Sequence, residues 1–155
     1  MKVRLLLTLA GLAISFSVQA SMAQDAMKVV TADEVVFKDD SGIPKGGQTA
    51  VLVGDPSKAE PIVMRAKFPP NYKIPPHTHS FSEVITLLSG TLWNGMGDDM
   101  LKGVMLRPGS VFTLPANHAH RVWTTDEEAI IQIQFTGPGD ITYLNPTDDP
   151  RNKAE

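Results

Sequence analysis

The chain has 155 residues, with four histidines, no cysteine and a formal net charge of −3. Without cysteine there is no disulfide, thiolate nucleophile, lipid-anchor cysteine or cysteine-ligated metal. Mild acidity with no basic cluster argues against nucleic acid and anionic membrane surfaces as partners.

The first element in chain order is Met1-Lys2-Val3-Arg4, a basic start, followed over 5–18 by an uncharged, mostly apolar run. This is the pattern of a secretory signal peptide, short for a membrane span, which needs roughly 20 apolar residues. Small residues offer cleavage after Ala20 or after Ala23. The expected organisation is a signal peptide over 1–23 and one domain over 24–155, periplasmic or secreted and free of the membrane after processing. Loss of the leader's two basic residues takes the formal charge to about −5.

Beyond the leader, prolines and glycines punctuate short apolar stretches at intervals of about ten residues, an all-β rhythm. Strands are predicted at 29–37, 49–53, 62–68, 83–88, 91–93, 104–106, 110–114, 119–124, 129–135 and 141–144. Turn residues separate them, including Pro69-Pro70-Asn71, Ser89-Gly90, Arg107-Pro108-Gly109 and Gly137-Pro138-Gly139. No stretch keeps a helical period with caps. Short strands in this number must close on themselves or stack as two sheets, because open edges invite association, so a small barrel or jelly roll is expected.

The four histidines form two pairs, His77/His79 and His118/His120, each read as following a proline-bearing turn, Pro75-Pro76 or Pro115. In extended chain, residues i and i+2 point to one face with Cα atoms roughly 6.5 to 7 Å apart, close enough for two imidazoles to share an ion. Glu83 is offset by an even number from His77 and His79, so a continued extended run would keep its carboxylate on their face. Two neutral imidazoles with a carboxylate suit Zn, Mn, Fe or Ni and leave positions for water or substrate. The competing reading makes the pairs unrelated loop histidines, or histidines hydrogen-bonded in the core. Alternation alone does not choose between His118 and His120. The turn favours His120, since His118 lies immediately after Asn117 and His120 is a full pleat further into the strand.

His77-Thr78-His79, three residues, Glu83, six residues and Gly90 resemble the central part of the first conserved motif of the cupin superfamily. Gly109, Pro115, Asn117 and His120 resemble its second motif. The stretches "IPPHTH", "LSGTLWNGMGD", "LPANHAHRVWT" and "GDITYLNPTDDPR" are similar to an exported, single-domain cupin group of the quercetin-dioxygenase-like, conserved-barrel type. Two positions depart from the motifs: Asn117 stands at a usual glycine, and Asn71 at the upstream glycine. At Asn117 asparagine is among the few residues that tolerate positive φ, and Asn71 is a turn-forming replacement. The resemblance implies a double-stranded β-helix jelly roll with one divalent transition metal ion held by His77, His79, Glu83 and His120. It also implies a homodimer and a small-molecule ligand or substrate.

If Glu83 faces the ion, Ile85 and Leu87 share its face and form an apolar wall. Met64, Trp93, Met96, Met100, Met105, Phe112 and Trp123 are further wall candidates, with ordinary core packing as the alternative. The expected function is that of a metal-dependent small-molecule enzyme of dioxygenase, decarboxylase, lyase or isomerase type. Glu83 would serve as ligand or catalytic base. The alternatives are a small-ligand binding or sensing protein without turnover, and a barrel whose metal is structural. Fold alone does not separate them.

Overall fold

The computed structural model describes residues 27–96 and 101–153. The signal-peptide reading and Met100 lie outside the described residues. The strands are β1 (Lys38–Asp39), β2 (Gln48–Val53), β3 (Pro61–Phe68), β4 (Lys73–Thr78), β5 (Glu83–Ser89), β6 (Leu92–Met96), β7 (Val104–Leu106), β8 (Val111–Leu114), β9 (His120–Trp123), β10 (Ala129–Thr136) and β11 (Thr142–Tyr143). They form two antiparallel sheets, one ordered β1-β2-β3-β10-β5-β8 and the other β11-β4-β9-β6-β7. Among the described residues the only helical pieces are short 3-10 turns. This all-β, two-sheet architecture fits the expected jelly roll.

Alternation explains why the sheets face each other. In β5, Glu83, Ile85 and Leu87 are buried while Val84 and Leu88 are exposed. Cross-strand register extends that inner face. Met64, Ile133, Ile85 and Phe112 form one row across β3, β10, β5 and β8, and Ala66, Ile131 and Leu87 form the next. Ile85 and Leu87 are 2% and 0% exposed, and burial of each side chain is worth roughly 1.5 to 3 kcal/mol. On the opposite sheet, Tyr143, His77, His120 and Met96 form a row across β11, β4, β9 and β6. The two histidine motifs are therefore neighbours across one β-ladder, on a wall facing the apolar rows.

Glycine is required where β5 turns towards β6. Gly90 has φ +75°, and a Cβ there would lie 1.9 Å from the carbonyl oxygen of Glu128. Asn71 and Asn117 take φ of 58° and 61°, the left-handed conformation, which was expected at Asn117.

Two expectations are corrected. The strand predicted at 29–37 does not form. A 3-10 turn, Ala32–Glu34, takes its place because the backbone N–H and hydroxyl of Thr31 both donate to the Glu34 carboxylate, at 2.8 and 2.9 Å. Pro75-Pro76 is not a turn but the middle of β4. The β4–β9 register shifts between Ile74 and His77, and such an irregularity tolerates residues with no N–H to donate. Past the predicted end at 93, Asn94, Gly95 and Met96 continue β6.

Candidate metal centre

His77 projects inward from β4, and His79 lies just past its end. The chain then bends over 79–82 and crosses to the other sheet, where Glu83 opens β5. Glu83 thus reaches the histidines from the facing sheet, not along a continued extended run. His120 opens β9 directly opposite His77. The turn before it is closed by the His118 N–H donating to the Pro115 carbonyl at 3.1 Å, with Asn117 at positive φ. That turn leaves His118 exposed and His120 buried.

A ring nitrogen from each of His77, His79 and His120 lies within 4.8 Å of the other two. The imidazole centroids are 4.2 Å apart for His77 and His120, 5.0 Å for His77 and His79, and 5.6 Å for His79 and His120. Each Nδ1 meets an oxygen that can only accept. For His77 it is the Pro75 carbonyl at 2.7 Å, for His79 the Asp140 carbonyl at 2.5 Å, and for His120 the Asn94 Oδ1 at 3.3 Å. A neutral ring held in this way carries its proton on Nδ1 and presents its lone pair on Nε2. Among the described residues His120 Nε2 is buried with no hydrogen-bond partner. A buried polar atom without a partner costs about 1 to 3 kcal/mol, which coordination would offset.

Electrostatics point the same way. Burial pulls His77 down to about 4, helped by the neighbouring His79. Burial, then His77, His79 and His118, pulls His120 down to about 2. Both buried rings are thus neutral at pH 7, the form that binds metals. Burial raises Glu83 above the usual carboxylate range, Asp140 adds to the rise, and His79 opposes it. Glu83 Oε1 lies 3.8 Å from His79 Nε2, beside the triad rather than within its 4.8 Å cluster. Three imidazole lone pairs with an adjacent carboxylate are donors suited to a divalent transition ion, so the residues fit the metal that the motifs imply.

The site opens on a cavity of about 300 Å³. Met64, Phe68, Ile85, Phe112, Ile131 and Ile133 supply apolar wall, while His77, His79, Glu83 and His120 gather at one side. Of the wall candidates, Ile85, Met64 and Phe112 line it. Leu87 packs deeper in the core, and Trp93 and Trp123 stack on each other at 5.9 Å outside the lining. Met96 and Met105 are exposed and also lie outside it.

Two contributors were missed in the sequence. Asn94 stands two residues after the buried Leu92, so parity in a continued strand would have turned it inward, but the predicted strand ended at 93. Asp140 holds His79 through its backbone and accepts the Ser80 N–H on Oδ1 at 2.8 Å. A contact spanning that much chain leaves no local signal.

Residues 64–133 match the Cupin domain family. Similar solved structures include the polyketide cyclase RemF from Streptomyces resistomycificus, 20% identical over 81% of this chain and 91% of that one, TM-score 0.69. KdgF from Halomonas sp. is 18% identical over 68% and 91%, TM-score 0.57. The DMSP lyase DddQ from Ruegeria pomeroyi DSS-3 is 17% identical over 74% and 63%, TM-score 0.61. At these identities the likeness is one of fold, and together with the family match it supports the cupin superfamily.

Proposed function

We propose that this chain is an exported, metal-dependent cupin acting on a small, largely apolar molecule, with His77, His79, Glu83 and His120 as the metal-binding set. One observation carries the reading: ring nitrogens of His77, His79 and His120 converge on the wall of an apolar cavity, and among the described residues the buried Nε2 of His120 has no partner. When bound, the ion supplies Lewis-acid polarisation of a substrate oxygen or a redox centre.

The chain's own residues supply the rest. Ile85, Phe112 and Ile133 bind the apolar body of the substrate and keep water from the polar side of the cavity. Glu83, buried and held towards its neutral form by desolvation, is the group placed to hold or accept a proton beside His79. A dioxygenase, decarboxylase, lyase or isomerase reaction is compatible with these parts. Structural neighbours are described as a polyketide cyclase, a DMSP lyase and an oxalate oxidase, three different chemistries.

The leader over 1–23, with cleavage after Ala20 or Ala23, and a homodimer of the 24–155 domain belong to the same proposal. N-terminal sequencing and light scattering of protein from the export compartment test these two points; a start at Met1 or a monomer mass removes the corresponding one. The main test is elemental analysis after gentle purification and after reloading with Zn, Mn, Fe and Ni, then an oxygen-electrode screen of phenolic and small carboxylic acids. One ion per chain is expected. No metal under any loading overturns the reading, whereas metal and tight ligand binding without turnover in that and a broader product screen would favour a binding protein.

A further inference from the structure

We propose that Asn94 is a positioning residue for the metal centre: its side-chain oxygen fixes the tautomer and orientation of His120. The proposal rests on the metal-binding reading and concerns a residue outside the ligand set. Of the three oxygens that meet the Nδ1 atoms, two are backbone carbonyls, Pro75 and Asp140. Only Asn94 Oδ1, at 3.3 Å from His120, belongs to a side chain. His77 and His79 are therefore clamped by the path of the chain, and His120 by a residue choice.

Placement agrees with that role. Asn94 is 3% exposed and sits on β6 beside β9, paired in register with Val122, two residues along from His120. Leu92 and Leu106, buried nearby on β6 and β7, pack only by apolar contact. An amide among them is costly unless hydrogen-bonded. With Nδ1–H directed to Asn94, the His120 lone pair must lie on Nε2, the atom left without a partner. Without the Asn94 oxygen, the proton can move to Nε2 and remove the lone pair from the centre. Groups that orient a ligating histidine in this way typically change metal affinity about 10- to 100-fold when lost.

The test compares wild type, Asn94→Leu and Asn94→Asp, each checked for fold by circular dichroism. Zn affinity is measured against a chromogenic chelator at fixed pH, and the His120 tautomer by long-range 1H–15N correlation of the metal-free protein. Asn94→Leu should weaken Zn binding about 10- to 100-fold and populate the Nε2–H tautomer. Asn94→Asp, which keeps an accepting oxygen, should stay within about tenfold of wild type and keep Nδ1–H. Wild-type affinity and tautomer in Asn94→Leu overturn the proposal. So does an equal loss in Asn94→Asp, which decides alone if the leucine variant fails to fold. A wild type that binds no Zn, Mn, Fe or Ni refutes the underlying metal reading instead, and the tautomer measurement still reports on Asn94.

Discussion

His120→Ala and His118→Ala offer a paired perturbation, because the second motif supplies two histidines with opposite surroundings. His120 is buried, faces His77 across the ladder and carries the Nε2 without a partner. His118 is exposed, and its contribution to the turn is a backbone bond to Pro115, which alanine keeps. Removing His120 takes one of three converging nitrogens, so metal affinity should fall at least tenfold, about 1.4 kcal/mol or more. The metal-free fold should change much less. Loss of the His120 side chain leaves a gap and an unpartnered Asn94 oxygen, but it also removes a buried nitrogen costing about 1 to 3 kcal/mol. At about 1,000 times the dissociation constant, a bound ion adds about 4.1 kcal/mol to wild-type stability, and a tenfold weaker site loses about a third of that. Thermal denaturation with and without Zn, beside chelator competition at fixed pH, separates the two contributions. A reduced Zn-dependent shift in His120→Ala and a wild-type shift in His118→Ala are expected. Equal metal loss in both variants would refute the assignment of His120 as the ligand.

Acid should weaken the metal-free fold. His77 at about 4 and His120 at about 2 lie below the unfolded value of 6.5, so the unfolded chain binds more protons. Their stabilisation is complete above pH 6.5 and is lost as pH falls below it. Glu83, raised from 4.5, has the opposite sign, with its contribution present below 4.5 and lost as pH rises through its folded value. The histidines outweigh it, so urea unfolding at pH 5 should give a free energy lower than at pH 7.5 by about 2 kcal/mol per histidine before the Glu83 offset; an unchanged or higher value contradicts this. Gly90→Ala should cost more than about 2 kcal/mol, since the new Cβ meets the Glu128 carbonyl at 1.9 Å and φ is +75°; a midpoint matching wild type in urea would show the turn to be adaptable. Ile133→Trp, set between Met64 and Ile85 on the cavity wall, should weaken any small-ligand binding at least about tenfold and leave Zn affinity within about threefold; calorimetry showing the reverse pattern would place the ligand elsewhere.

What could be read in advance was whatever depends on local alternation. β5 announced itself through Glu83, Ile85 and Leu87 on one side and Val84 and Leu88 on the other, and β10 through its run of isoleucines. Asn117 was legible because few other residues accept positive φ. β4 was not, since Pro75-Pro76 signals a turn unless a bulge in the partner ladder relieves the missing donors. Glu83 was expected near the histidines for an insufficient reason: even spacing assumed one continuous strand, yet the chain bends and changes sheets between them. The Nδ1 partners were invisible for a related reason. Asn94 and Asp140 come from segments 26 and 61 residues away from the histidines they hold.

That long-range support explains how a small all-β domain can keep such a site assembled. The triad draws on β4, the bend after it and β9, while Glu83 comes from the facing sheet, so no local fragment contains it. Its rings are held by Pro75, Asp140 and Asn94, and its floor is the core row around Ile85. The same burial that keeps His77 and His120 neutral also makes the unpartnered His120 Nε2 costly. Binding an ion would therefore add stability by satisfying an atom that the fold itself leaves unsatisfied, and metal occupancy and folding stability should rise and fall together.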